Sequence, residues 1–306
     1  MKRILTACLI LTLVMLVQAQ YNEDFAKEVF YIALLANCKA DKVLANDCGP
    51  ASKFVVSDFG MEVLHAWKNE EGINGLTTVI VKKEKAKTIY VGLSGTKHMA
   101  QLVADIVTPD AVDYTLHSEA KGAQVMKYFN DKYTKNFRVN LIDHIKEVQK
   151  EYPNFDIIFT GHSLGAGMAT LALADYSLLG LGKDRNVYGY TFGQPRVANY
   201  KLFDAFLPKV QGFYRVVHEN DIVAHVPPCI VDSDFNCKKE GLLPRFYPYH
   251  PPEEIWYNED WTNYSTCDID LGEDPKCSDK GMNDSLRDHV EYFNVADIGI
   301  FIGGDY

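Results

Sequence analysis

The chain is poor in the features that mark several large functional classes. It has no Lys/Arg cluster of the kind that tracks a phosphate backbone, and its formal charge is −10, from 31 basic and 41 acidic residues. That balance argues against a nucleic-acid partner. Cysteine is sparse, seven in 306 residues, and no two stand at the C-x2–4-C spacing of a zinc site. There is no internal repeat and no low-complexity tract. With 47% hydrophobic and 24% charged residues the chain can bury a large core, which excludes disorder and a small scaffold held only by disulfides.

Only one long uncharged stretch is present. Lys2 and Arg3 precede the uncharged residues 4–17, and Val17-Gln18-Ala19 places small residues at −3 and −1 of a cleavage site. As a helix this run spans about 21 Å, short of the roughly 30 Å hydrocarbon core of a bilayer. It reads as a secretory signal peptide over 1–19, followed by a single domain over 20–306 with no transmembrane segment. Its removal takes away nineteen residues, two of them basic and one a cysteine, leaving 287 residues at −12. The remaining six cysteines, Cys38, Cys48, Cys229, Cys237, Cys267 and Cys277, are an even set suited to three disulfides in an oxidising compartment. Pairing between sequence neighbours, 38 with 48, 229 with 237 and 267 with 277, is preferred, although spacing alone leaves other pairings open. Asn263 and Asn283 each head an N-x-S acceptor sequence, expected at the surface of a secreted chain.

Strand and helix patterns alternate. Apolar residues at 25, 29, 32, 33 and 36 form a helical stripe over 23–37. The β-branched runs 76–81 and 88–93 read as strands joined by a charged hairpin. Residues 118–149 read as largely helical, with a break near 134–139. Short apolar strands over 156–160, 186–192 and 213–217 surround an Ala- and Leu-rich helix over 168–179. This alternation predicts an α/β fold with a mostly parallel central sheet flanked by helices. Residues 227–288, rich in Pro, Asp, Tyr and Cys and without periodicity, read as a surface excursion pinned by cysteines.

The chemistry concentrates at Gly161-His162-Ser163-Leu164-Gly165, a G-x-S-x-G sequence between an apolar strand and a helix of small residues. A serine at the tip of such a turn sits in strained backbone, and the flanking glycines relieve the crowding. Ser163 is then a candidate nucleophile above a helix N-terminus. A serine hydroxyl needs a base and an orienting carboxylate, which on this kind of fold follow in the order Ser, acid, His. Asp221, just past the 213–217 strand, is the preferred acid, and Glu219 is second. His225 stands too close to Asp221 in sequence to reach back, and His250 before two prolines reads as a structural histidine. That leaves His289 as the base.

These segments together resemble the class 3, fungal-lipase-like branch of the α/β-hydrolases, over roughly residues 78–293. The resemblance rests on Gly161-His-Ser-Leu-Gly-Ala-Gly167, Phe192-Gly-Gln-Pro-Arg-Val-Ala-Asn199, Asp221-Ile-Val with Pro227-Pro228, and Asp288-His289. Pro227-Pro-Cys229 and the Cys-rich stretch before His289 look most like secreted nematode members. The resemblance implies Ser163, Asp221 and His289 as the catalytic triad, and Thr96 and the backbone N–H of Leu164 as oxyanion-hole donors. It also implies a lid over 97–107, including Lys97, His98, Met99, Leu102 and Val103, where the apolar pattern is amphipathic. An ordinary core-packing helix is the competing reading of that stripe. The family's aromatic-Arg pair before Gly95 is replaced here by Leu93-Ser94, which leaves the support of the oxyanion loop to be found elsewhere.

The expected activity is therefore a secreted serine carboxyl-ester hydrolysis of lipid esters through an acyl-enzyme, with no metal or organic cofactor. A lipid-water interface is the expected setting. A phospholipase or a short-chain or feruloyl-type esterase would use the same triad, and a non-catalytic lipid-binding protein is the rival from another class.

Overall fold

The computed structural model describes residues 21–69, 76–95, 99–234, 236–243, 245–280 and 285–295. The first apolar stripe forms α1 (Glu23–Ala36), whose N-terminus is capped by Asn22 Oδ1 accepting from the Phe25 N–H at 2.8 Å. Two short helices, α2 (Ala40–Leu44) and α3 (Gly49–Ser52), follow beside the Cys38–Cys48 disulfide. Strands β1 (Glu62–Lys68), β2 (Thr77–Lys83) and β3 (Thr88–Leu93) form an antiparallel meander. The sequence pattern predicts β2 and β3 but not β1, an edge strand half-exposed along most of its length and so without a clean alternation.

After α4 (Met99–Ile106), a two-stranded ribbon of β4 (Ala111–Asp113) and β5 (Gln124–Met126) replaces the start of the helix expected from residue 118. Gly122 adopts φ +77°, and Val125 bridges to Ala198, so the turn and a tertiary pairing override the helical pattern. The helix begins as α5 (Lys127–Lys132) and continues through a π-helical turn at Tyr133–Phe137 into α6 (Arg138–Glu151). The break expected near 134–139 is this wider turn.

The remaining chain supplies β6 (Asp156–His162), α7 (Leu164–Leu178), β7 (Val187–Phe192), α8 (Tyr200–Phe206) and β8 (Gly212–His218). It ends with β9 (Glu254–Tyr257), β10 (Tyr264–Thr266) and α9 (Leu286–Val290). The eight-stranded sheet has the order β1-β2-β3-β6-β7-β8-β9-β10, parallel from β3 to β9 and antiparallel at both edges. One face packs on α1 to α3 and on Tyr292 and Phe293, the other on α5 to α8, so apolar side chains cover both sides. This is the mostly parallel α/β architecture that the alternating pattern predicts.

The excursion over 227–288 differs from its expectation. It adds β9 and β10 to the sheet, and buried ion pairs hold it in place alongside the disulfides. Arg215 on β8 donates through Nη2 to Glu254 on β9 and to the Gly272 carbonyl, both at 2.7 Å. Arg196 grips Glu273 through Nε at 2.7 Å and Nη2 at 2.9 Å, and donates to the Pro227 carbonyl at 3.1 Å. All four side chains are buried. The disulfides Cys229–Cys237 and Cys267–Cys277 close small loops inside the same segment.

Breaking one half of such a pair strands a buried charge. Arg196→Met is expected to cost about 3–5 kcal/mol, read from urea melts, and adding Glu273→Leu is expected to recover much of the loss. A single-variant loss below about 1 kcal/mol would show that the pair does not anchor the excursion.

Candidate active site

The strand-turn-helix from β6 to α7 holds Ser163 in a backbone conformation side chains rarely adopt, φ 61° and ψ −128°. The turn is packed so closely that only glycine fits beside it. A Cβ on Gly161 would lie 2.3 Å from the Gly165 carbonyl, and one on Gly165 would lie 2.2 Å from the Leu93 carbonyl oxygen of β3. The Ser163 N–H donates to the Phe192 carbonyl at the end of β7, 2.9 Å away. Leu164 is buried as the first residue of α7, where amides lack intrahelical partners and point out of the helix.

His289 arrives on α9, which is sewn to the turn after β8. The Ser285 N–H donates to the Asn220 carbonyl at 2.8 Å, and Asp288 Oδ2 accepts from the Asn220 N–H at 3.0 Å. Ser285 Oγ in turn caps the helix by accepting from the Asp288 N–H at 3.0 Å. These contacts bring His289 Nδ1 to 2.8 and 2.9 Å from the two Asp221 oxygens. Nδ1–H therefore donates to the carboxylate, which leaves Nε2 as the acceptor. Nε2 is buried and makes no hydrogen bond among the described residues.

Asp221 is fully buried, so its charge depends on its donors. Burial alone would raise its pKa. The adjacent His289, with the hydrogen bonds from His289 and from Tyr292 OH at 2.6 Å, outweighs that and holds the carboxyl at about 2. The Val223 N–H adds a further bond at 2.8 Å. Glu219, the second candidate acid, does not join this cluster. Its carboxylate faces Asn220 Nδ2 at 3.5 Å, and its carbonyl accepts from Trp256 Nε1. The His225 ring lies between the carbonyls of Asp221 and Ser278, and His250 Nε2–H donates to the Ala224 carbonyl at 2.7 Å. Both histidines brace the turn that carries Asp221.

Three residues around this cluster were not singled out from the sequence. The His162 ring stacks on His289, with centroids 4.6 Å apart, and its Nε2–H donates to the His289 carbonyl at 2.8 Å. Burial, with repulsion from His289, drops its pKa to about 3, so it stays neutral. Tyr292 is the second side-chain donor to Asp221. Asn37, at the C-terminus of α1, accepts the Gly95 N–H at 2.7 Å, while Ser94 Oγ accepts the Thr77 N–H at 2.8 Å. Asn37 and Ser94 thus support the loop after β3, where the family resemblance implies an aromatic-Arg pair. The nearest sequence signals are the histidine inside the Gly-His-Ser motif and a tyrosine three residues after His289; Asn37 carries none.

Thr96, Lys97, His98 and Asn283 lie outside the described residues. Met99 and Leu102 belong to α4, and Val103 on the same helix is half-buried. Asn263 is exposed in the turn between β9 and β10. Ser163, Asp221 and His289 are each at most 1% exposed, so the site is closed. A groove of about 600 Å³ beside the end of α4, lined by Asp105, Asp110, Met126 and Tyr128 among others, does not include Ser163 or His289. Among the described residues two groups of side chains are close enough to hold a metal ion, Cys229 with Cys237 and Asp279, and Glu254 with Cys267 and Cys277. In both, the two thiols are joined in a disulfide. No helix among the described residues is long and apolar enough to cross a membrane.

The buried groups set the acid limit of the fold. Asp221 has its folded pKa below the unfolded value of about 3.9, so its contribution is present above that value and lost as pH falls towards about 2. His162 is also depressed, from about 6.5, so the unfolded chain binds its proton first and stability falls from about pH 6.5 downward. Urea melts are expected to show the stability at about pH 4 several kcal/mol below that at about pH 7. His162→Gln is expected to flatten this dependence; an unchanged slope would remove His162 from the account.

The family model for class 3 lipases matches residues 90–231 of the chain. A lipase of Rhizopus niveus is 31% identical over 225 residues, which cover 71% of this chain and 50% of the relative. A lipase of Caenorhabditis elegans is 29% identical over 302 residues, covering 90% of this chain and 80% of the relative. Among solved structures, the lipase of Rhizopus microsporus var. chinensis superposes with a TM-score of 0.72 at 27% identity, covering 91% of this chain and 90% of that one. The chain spans about half the length of the curated Rhizopus relatives it matches. With Ser163 at the end of β6, and Asp221 just past β8 joined to His289 of α9, these likenesses lead to one conclusion: the chain belongs to the class 3 lipase family and has its α/β-hydrolase fold.

Proposed function

We propose that the protein is a secreted carboxyl-ester hydrolase that cleaves lipid esters, in the manner of a triacylglycerol lipase, through an acyl-enzyme on Ser163. The observation that carries this reading is the fixed His289 tautomer: Nδ1–H is held by Asp221, which leaves Nε2 as the basic nitrogen of a ring stacked on His162, the neighbour of Ser163 in the strained turn. The lipase names of the relatives support a lipid ester as substrate. The 1–19 segment, the three disulfides and the exposed Asn263 sequon support secretion of a single domain over 20–306.

In the reaction, Ser163 Oγ bonds to the acyl carbon while His289 Nε2 takes its proton. The carbonyl electron pair moves onto oxygen, where the Leu164 N–H and Thr96 donate to it; losing one such donor typically costs about 2.7–4 kcal/mol. Collapse breaks the ester C–O bond, and His289 returns the proton to the departing alcohol. Water, deprotonated by the same imidazole, then attacks the acyl-serine and releases the fatty acid. Because Ser163 and His289 are covered, substrate entry requires a segment to move, and α4 with its amphipathic stripe is the candidate lid.

Ser163→Ala is expected to abolish hydrolysis of emulsified triglyceride and of p-nitrophenyl esters, and to abolish labelling by a fluorophosphonate. Labelling of the alanine variant at the native rate would overturn the assignment. Asp221→Asn is expected to lower kcat by about 10⁴-fold, since the wrong tautomer of His289 is then favoured. Asn37→Ala is expected to lower kcat about tenfold with little change in KM, because it loosens the oxyanion loop without touching substrate. Asn37→Asp, which keeps an acceptor for the Gly95 N–H, is expected to recover most of that loss.

A further inference from the structure

Beyond the triad and the candidate lid, the 227–247 loop carries the strongest exposed apolar feature of the described chain. Leu242 is fully exposed and Leu243 is 61% exposed, and Val231 on the same loop is also exposed. The two leucines stand among cations: Lys238 and Lys239 before them and Arg245 after, with Glu240 the one acid in that stretch. Among the described residues none of the three cations forms a salt bridge, although Asp232 acts on Lys238 at longer range, and Glu240 is engaged by Tyr200 OH at 2.9 Å.

The chain on either side of Leu242 and Leu243 is held, while the two leucine side chains at the loop tip are exposed. Lys239 Nζ donates to the Asp270 carbonyl at 3.0 Å and lies 5.8 Å from the centre of the Tyr249 ring, and the Arg245 guanidinium lies 5.3 Å from that of Tyr247. Gly241 packs so closely on Tyr247 that a Cβ would lie 2.1 Å from its hydroxyl. The loop departs after Asp221 at the C-terminal end of β8 and is tied by Arg196 to the segment after β7. Its base therefore lies at the C-terminal end of the parallel strands, where β6 ends in the Ser163 turn.

We propose that this tip is a second interfacial anchor, separate from the lid, in which Leu242 and Leu243 enter an anionic lipid surface and Lys238, Lys239 and Arg245 pair with its headgroups. The proposal rests on the lipid-ester reading and supplies what that reading leaves open, the charge of the surface met. Charge complementarity selects the occupant. A zwitterionic surface would use the leucines alone, whereas each basic residue near an anionic surface strengthens binding by about fivefold. An apolar pair flanked by cations matches the two-signal logic of reversible membrane attachment.

The test uses the full chain carrying Ser163→Ala, so that lipid is bound but not consumed, with vesicles of phosphatidylcholine alone or with about 30% phosphatidylglycerol. The parent is expected to sediment with the anionic vesicles and to lose binding as salt rises. Leu242→Asp with Leu243→Asp is expected to reduce bound protein at least about tenfold on anionic vesicles. Lys238→Gln, Lys239→Gln and Arg245→Gln together are expected to remove the preference for phosphatidylglycerol and the salt dependence. Hydrolysis of a soluble p-nitrophenyl ester by the same loop variants with Ser163 intact is expected to match the parent, and thermal melts are expected to show each variant folded. Unchanged vesicle binding in both variants would overturn the anchor, as would dissociation of a dimer by the leucine variant in sedimentation velocity. If vesicle binding depends on the tip but no ester is cleaved, the anchor stands and the hydrolase reading fails.

Discussion

The contact between Gly165 of α7 and the Leu93 carbonyl of β3 sets the dimensions of the site. A side chain at 165 would overlap that oxygen, so the helix can sit over β3 and β6 at this height only with glycine there. The same approach lifts Ser163 into its positive-φ turn and brings the loop after β3 alongside it; a Cβ on Gly95 would lie 3.6 Å from Ser163 Cβ. Strain of this kind costs of order 1–3 kcal/mol. It is sustained by the Ser163–Phe192 backbone bond and by a helix buried through most of its length. One packing constraint thus places Ser163, the proposed nucleophile, beside the loop after β3.

The other half of the site depends on a charge that is buried and fully satisfied. Asp221 stays ionised away from water because His289, Tyr292 and the Val223 amide all donate to it. Its neighbour His162 is in the opposite condition, driven neutral by the same burial. A neutral ring stacked on His289 supplies shape and a hydrogen bond to the main chain without a second positive charge competing for the carboxylate. The imidazole is then oriented from both sides, by Asp221 on Nδ1 and by His162 on its carbonyl.

How much of this is legible in sequence depends on how local each cause is. Strands β2, β3, β6, β7 and β8 are short apolar runs buried on both faces, and such runs announce themselves. Ser163, Asp221 and His289 are marked by motif and chain order, and the latter two meet in a direct bond. Strand β9 is hidden because its inward residues include Glu254, a residue that reads as loop until Arg215 is seen opposite it. The helix expected from residue 118 gives way to β5 because Gly122 and the Val125–Ala198 bridge act on a segment whose local pattern is helical. Asn37 is illegible for the plainest reason: its partner Gly95 lies 58 residues further on, and an asparagine at a helix end looks like any other cap.

The excursion joins these threads. It is the part of the chain that looks least structured, yet its buried Arg196–Glu273 and Arg215–Glu254 pairs fix the path that returns to His289. Such pairs contribute little net stability compared with apolar packing, but they penalise every arrangement that would leave one of the four charges alone. A segment held in this way can carry exposed leucines and lysines at its tip without collapsing onto the core. Net charge then becomes a poor guide to the surface it meets. At physiological salt, interactions between exposed charges are screened beyond about 8 Å, so a membrane touching the tip senses Lys238, Lys239 and Arg245 with their acidic neighbours Glu240 and Asp232, and little of the acidic remainder of the chain. A protein acidic overall can in this way present a basic, apolar point of contact on one surface loop.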